Sequence, residues 1–78
     1  MTDYTNSEKN NLCELLRELR IEAGLRQVDL AERLRRPQSF VSKYESGEKT
    51  LTFLEVKEVC QTLGISLTKF VKRFEASL

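Results

Sequence analysis

The chain contains no histidine and only two cysteines, Cys13 and Cys60, which stand far apart and form no CxxC pair. A zinc site of the usual mixed Cys/His kind cannot be assembled from these residues, and no metal or other cofactor is expected. The missing histidine also removes the commonest general acid–base group, and the three glycines of the chain form no phosphate-cradling loop. With no nucleophile–base constellation visible either, an enzyme is the weakest class of answer. Uninterrupted apolar runs never exceed two or three residues, too short for a membrane span, and no signal peptide is visible. A cytoplasmic protein with reduced thiols is expected, and Cys60, on an apolar stripe with Val59 and Leu63, reads as a small buried residue. Charge of one sign is missing too: 13 basic residues against 12 acidic leave +1, so no global attraction to nucleic acid is built in. Seventy-eight residues allow one small domain, with too little buried surface for a deep pocket or a separate effector domain, and no small-molecule ligand is expected.

What the chain does have is concentrated in residues 27–45, QVDLAERLRRPQSFVSKYE. Leu30, Ala31 and Leu34 follow helical spacing, the pattern stops at Arg35-Arg36-Pro37, and it resumes with Val41 and Tyr44. Two short helices joined by a tight turn account for this. Ala31 supplies the small side chain that closely crossing helices need, with Leu34 and Val41 packed at the corner. Gln38, Ser39, Ser42 and Lys43 fall outside the apolar set and share one solvent-facing side, free to bond to a partner. From Arg33 to Lys43 there are four positive residues, Arg33, Arg35, Arg36 and Lys43, and no acidic one. A charge run of this kind is usually just a solvated surface, but beside a polar helix face it points to phosphate contact, with Arg35 and Arg36 foremost. Gln27 carries an amide at a helix start, where it and the free backbone N–H groups can hold a phosphate oxygen; a local cap is the plainer alternative.

These residues resemble the phage repressor and Cro type, or XRE family, of helix-turn-helix transcriptional regulators. The marks are Gly24-Leu25 ahead of the motif, Gln27 at its first position, Leu30-Ala31, Val41, and the Tyr44-Glu45-Ser46-Gly47 exit, and the likeness runs from about Leu12 to Phe74. The resemblance implies an all-α, five-helix, lambda-repressor-like DNA-binding domain. It further implies a largely buried ion pair between Arg20 and Glu45, base contacts from Gln38, Ser39 and Lys43 with Ser42 close by, and a second phosphate contact near Lys49 and Thr50. Chemically, an amide such as that of Gln38 suits adenine N6 and N7, while a lysine such as Lys43 suits guanine or a phosphate. Relatives usually carry glycine at the position of Arg35, where the backbone takes positive φ. Arginine there implies either a remodelled turn or an accepted strain of about 1 kcal/mol.

The remaining elements follow from local signals. Residues 1–6 read as a disordered polar tail, and the domain spans residues 7–78, opening with a helix capped by Ser7 that carries Leu12, Leu15, Leu16 and Leu19 and ends at Gly24. A second helix spans residues 27–34, preceded by Arg26 where a Ser or Thr cap is normal, and a third spans residues 38–46 behind Pro37. Phe40 can touch DNA but is better read as packed against its own domain. Thr52 and Glu55 make a capping box, Leu51 and Val56 have the spacing of a hydrophobic staple, and a fourth helix with Val56, Val59, Cys60 and Leu63 ends at Gly64. Ser66 caps a last helix bearing Leu67, Phe70, Val71, Phe74 and Leu78. Together with Phe53 and Leu54 this is more apolar surface than one small domain needs, and Phe53, Leu54, Phe74 and Leu78 are the expected homodimer contacts. The expected partners are double-stranded DNA bearing an inverted repeat and a second copy of the chain. A protein-interaction module, such as an antitoxin-like partner, is the other class of answer, for which the basic, amide-bearing surface is poorly suited.

Overall fold

The computed structural model describes residues 6–78, and within them five helices and no strand: α1 Asn6–Glu22, α2 Gln27–Leu34, α3 Gln38–Ser46, α4 Phe53–Leu63 and α5 Leu67–Ala76. The expected tail at residues 1–5 lies outside the described residues, and Asn6, assigned to that tail, instead opens α1. Ser7 is therefore inside the first turn, not a cap ahead of it. The polar residues there continue the helical conformation one step further than the apolar pattern marks. Leu15, Leu16 and Leu19 face inward from α1, and Gly24, at φ +74°, lets the chain reverse so that the Leu25 N–H reaches the Arg20 carbonyl.

The α2 and α3 helices pack chiefly on each other, and α1 lies across α3. Leu30 and Val41 are completely buried and Ala31 nearly so, so the small side chain stands at the crossing as its size requires. A buried leucine or valine of this kind contributes about 1.5–3 kcal/mol. Between the two helices Arg35 does take the left-handed conformation, φ 57° and ψ 44°, and its N–H and that of Arg36 close back onto Glu32 and Ala31 carbonyls. The strain is accepted, not remodelled away. Replacing Arg35 by glycine relieves it against some added freedom of the unfolded chain, and a net gain of up to about 1 kcal/mol is expected in urea unfolding. A loss of stability in that variant would contradict this reading of the turn.

Pro37, with φ −61°, immediately precedes α3, and Gly47 ends it with φ +85°. The Thr52 hydroxyl accepts from the Glu55 N–H, while the Glu55 carboxylate accepts from the Thr52 N–H at 2.8 Å. Leu51 and Val56 on either side of that cap are both buried, so box and staple form together. The α4 helix closes over α2 with Val56, Val59 and Cys60, and burial pushes the Cys60 thiol up to about 11, leaving it inert near neutrality. Ser66 caps α5, whose Phe70 is buried. Three bonds absent from any sequence pattern fasten α5 to α1: Arg73 donates twice to the Glu22 carboxylate at 2.9 Å, and the Asn11 amide donates to the Ser77 carbonyl at 2.9 Å. Where α1, α5 and the loop after α3 meet, an apolar cleft of about 220 Å³ remains.

Candidate nucleic-acid interface

Helix α3 has two unlike faces. Val41 and Tyr44 are buried, whereas Gln38, Ser39, Ser42 and Lys43 are all exposed. Among the described residues none of those four side chains forms a hydrogen bond or ion pair, so their full bonding capacity faces outward. Arg33 and Arg35, at the end of α2 and in the turn, are exposed as well. The structure thus brings the basic turn and the amide- and hydroxyl-bearing face of α3 into one continuous stretch of surface.

That face is held in place from behind by a buried ionic cluster. Arg20 of α1 donates from Nε to Glu45 Oε2 at 2.7 Å and from Nη2 to Oε1 at 2.9 Å, and its Nη1 donates to the Leu25 carbonyl at 2.8 Å. The Arg20 and Glu45 side chains are only 10% and 3% exposed. Hydrogen bonding to Glu45 raises the already high pKa of Arg20, so the guanidinium stays charged. With both planar groups satisfied, the pair is the kind of bidentate arrangement that fixes geometry. A third member comes from α2, where Gln27 Nε2 donates to Glu45 Oε1 at 3.0 Å. Gln27 is therefore neither a local cap nor a free amide: it joins α2 to α3, and its second N–H remains as a donor at the helix start.

Around this cluster Arg26 and the expected phosphate ligands Lys49, Thr50 and Arg36 each have their own setting. Arg26, in the cap position of α2, does not cap with its side chain. Instead the Asp29 carboxylate accepts from the Arg26 N–H and from its Nε, both at 2.9 Å, and this holds the Asp29 pKa down at about 2. Lys49 and Thr50 sit in a loop anchored on α3, since the Lys49 N–H donates to the Lys43 carbonyl at 3.1 Å and the Ser46 hydroxyl to the same carbonyl at 3.0 Å. Thr50 is exposed, and Lys49 lies 3.8 Å from Glu55, a partly exposed and weak pair. Arg36 is placed differently from the expectation. Its Nη2 donates to Glu58 Oε1 of α4 at 2.9 Å, and its guanidinium lies 4.4 Å over the Phe40 ring. This arginine is spent on joining the turn to α4 and α3, which counts against it as a phosphate ligand. Phe40 packs edge-on to Tyr44 at 5.5 Å and has Lys49 Nζ 5.8 Å from its centroid, so the packing reading of Phe40 is the one the geometry supports.

The four expected dimer residues divide. Phe53 and Leu54 are 65% and 73% exposed at the start of α4, and Leu78 is exposed at the end of the chain. Phe74 is instead half-buried against the core, because α5 folds back onto α1 and carries that ring inward. Val71 and Ile21, not among the expected contacts, are exposed apolar residues as well. No helix among the described residues is long and apolar enough to cross a membrane.

A helix-turn-helix family model matches residues 16–70. An XRE-family like protein from Pseudomonas syringae pv. tomato str. DC3000 is 41% identical, the match covering 91% of this chain and 87% of that one, with a TM-score of 0.83. The clp gene regulator ClgR from Corynebacterium glutamicum is 25% identical over 97% of each chain, with a TM-score of 0.81. The wild-type restriction-modification controller protein C.Esp1396I is 19% identical over 94% of this chain and 95% of its own, with a TM-score of 0.85, a likeness of fold alone. That controller protein has also been solved as a tetramer in complex with its natural 35 base-pair operator. Among curated proteins no match was found.

Proposed function

Because the chain belongs to the XRE family of helix-turn-helix proteins, we propose that it is a sequence-specific DNA-binding transcriptional regulator acting as a homodimer on an inverted-repeat operator. The observation that carries this reading is α3 itself, with one face buried and bolted to α1 and α2, and the other exposed, polar and, among the described residues, unpartnered. A helix held this rigidly, with its amide, hydroxyl and ammonium groups outward, suits insertion into a major groove, where base edges offer matching donors and acceptors. Gln38, Ser39, Ser42 and Lys43 are the base-contacting residues. Arg35, Lys49, Thr50 and the second N–H of Gln27 contact phosphates, which position the domain without reading sequence. That a similarly folded controller protein binds operator DNA supports the same use here.

One such helix reads only a few base pairs, too little for a site to be found in a genome. Two copies related by a twofold axis and spaced about 34 Å apart along one face of the DNA supply the missing discrimination. The exposed pair Phe53 and Leu54, together with Leu78, is where the second copy docks, and Val71 extends the same kind of surface on α5. Phe74 supports the interface from within the core. Sedimentation of the chain at micromolar concentration should show a species of twice 9.1 kDa, and Leu54→Lys should return it to monomer. A 9.1 kDa species that persists in the wild type, with selected DNA that is not palindromic, would rule out the dimer.

A further inference from the structure

Within the basic stretch from Arg33 to Lys43 one cation is held differently from the rest. Arg33, Arg35 and Lys43 are exposed, whereas the Arg36 guanidinium is drawn back toward α4. Its Nη2 donates to Glu58 Oε1 at 2.9 Å, and its central carbon lies 4.4 Å from the centre of the Phe40 ring. Arg36 Nε is buried in that position with no hydrogen-bond partner among the described residues. A guanidinium is suited to gripping two oxygens at once, so a single bond with Nε left unmet is a poor use of it. The pose nevertheless borders the nucleic-acid surface. Arg36 stands between Arg35 and the Pro37 that opens α3, and the ring it covers also has Lys49 Nζ 5.8 Å from its centre. The acids of α4 surround the same spot: the Glu55 carboxyl, held below its usual range first by the Thr52 N–H, is lowered further by Lys49 and Arg36.

We infer that Glu58 is a positioning residue that withholds Arg36 from the DNA backbone and so limits the sequence-independent part of binding. The inference rests on the DNA-binding reading of α3. Freed from Glu58, the Arg36 side chain swings off the ring from a turn that already borders the groove, and both Nε and Nη2 can then meet phosphate oxygens. The gain falls unequally on different DNA. On a preferred sequence the base contacts of α3 fix how the domain sits, and a released arginine helps only where that pose leaves a phosphate in reach. On any other sequence the domain settles wherever its cations meet most phosphates, so the released arginine counts in full. By holding one arginine back, Glu58 keeps binding to unrelated DNA weak relative to the operator. An ion pair between side chains 35% and 42% exposed is weak, so its removal changes affinity several-fold and not by decades.

Two measurements on the full chain test this. Without DNA, the Arg36 Nε–H lies against the Phe40 ring and away from water, so its proton should give a ring-shifted, slowly exchanging signal, assigned by its loss in Arg36→Gln. In Glu58→Ala that signal should move to the position of the exposed arginines. A signal that stays in place would overturn the inference, because the ring alone would then hold the side chain. With DNA, Glu58→Ala should bind a scrambled duplex at least about threefold tighter than the wild type. Its affinity should also fall more steeply with salt, by about half to one unit of logarithmic slope per bound copy. Preferred DNA should gain less, so discrimination narrows. In an Arg36→Gln background the same alanine should leave the salt slope unchanged, a result that a merely structural role for Glu58 does not require. An unmoved slope in the first comparison, or an equal change in both, would overturn the inference. Alanine suits a helix interior, and Glu58→Gln, which keeps an acceptor without the charge, should fall between the two chains. A wild type that binds no duplex would remove the DNA-binding reading and this inference with it, an outcome distinct from normal binding with an unmoved slope.

Discussion

Glu45→Ala is expected to lower the stability of the domain by about 3–5 kcal/mol, because it leaves the Arg20 guanidinium charged, buried and without its carboxylate. A domain of 78 residues has on the order of 4–12 kcal/mol in total, so this single change brings it close to unfolding. Arg20→Ala should cost a similar amount, for Glu45 would keep only the Gln27 amide. The two changes should not add. Once both charges are gone nothing buried is left unpaired, and the double variant should be more stable than the sum of the singles predicts by at least about 1 kcal/mol. Urea unfolding of the four chains measures this directly. Additive losses would mean that the pair is a bystander and that something else aligns α3 on α1. Since the cluster also sets the pose of α3, variants that remain folded should bind DNA less well at equal protein concentration.

Gln38→Ala and Lys43→Ala are the second pair of large effects, each expected to weaken binding to the preferred DNA by about 1–3 kcal/mol. Both side chains are exposed and, among the described residues, unpartnered, so fold stability should change by no more than about 0.5 kcal/mol. The loss should be selective for the preferred sequence. Gln27→Ala and Arg35→Ala should instead weaken all sequences alike, and Arg35→Ala, which removes a charge, should also reduce the dependence on salt. Titrations against the preferred DNA and a scrambled duplex separate the two classes. Wild-type discrimination in Gln38→Ala would remove α3 from the role of recognition helix.

Those assignments were legible in the sequence to different depths, for physical reasons. The α4 cap was readable because Thr52 and Glu55 lie one helical turn apart and bond to each other, so spacing alone specifies the contact. The two faces of α3 were readable because Val41 and Tyr44 fall one turn apart. Arg35 could be placed at positive φ only through the family resemblance, and the structure shows which of two outcomes the turn took. The Gln27–Glu45, Arg36–Glu58 and Arg73–Glu22 bonds join residues 18, 22 and 51 positions apart. Such pairs depend on where whole helices lie, and no local pattern encodes that. Arg36 shows the consequence: as part of a basic run it looked like a phosphate ligand, yet Glu58 arrives from α4 and Phe40 from α3 to occupy it. Phe74 looked surplus for the same reason, because only the return of α5 onto α1 supplies the surface that covers it.

The central claim, that α3 reads a DNA sequence twice across a twofold axis, is tested most directly by sequencing the fragments that the full chain selects from a random DNA pool. Enrichment of an inverted repeat whose half-site centres are about one helical turn apart is the expected result, with discrimination at the half-site lost in Gln38→Ala. A pool that stays random through repeated rounds, or a single direct half-site bound as tightly as any pair, would contradict it.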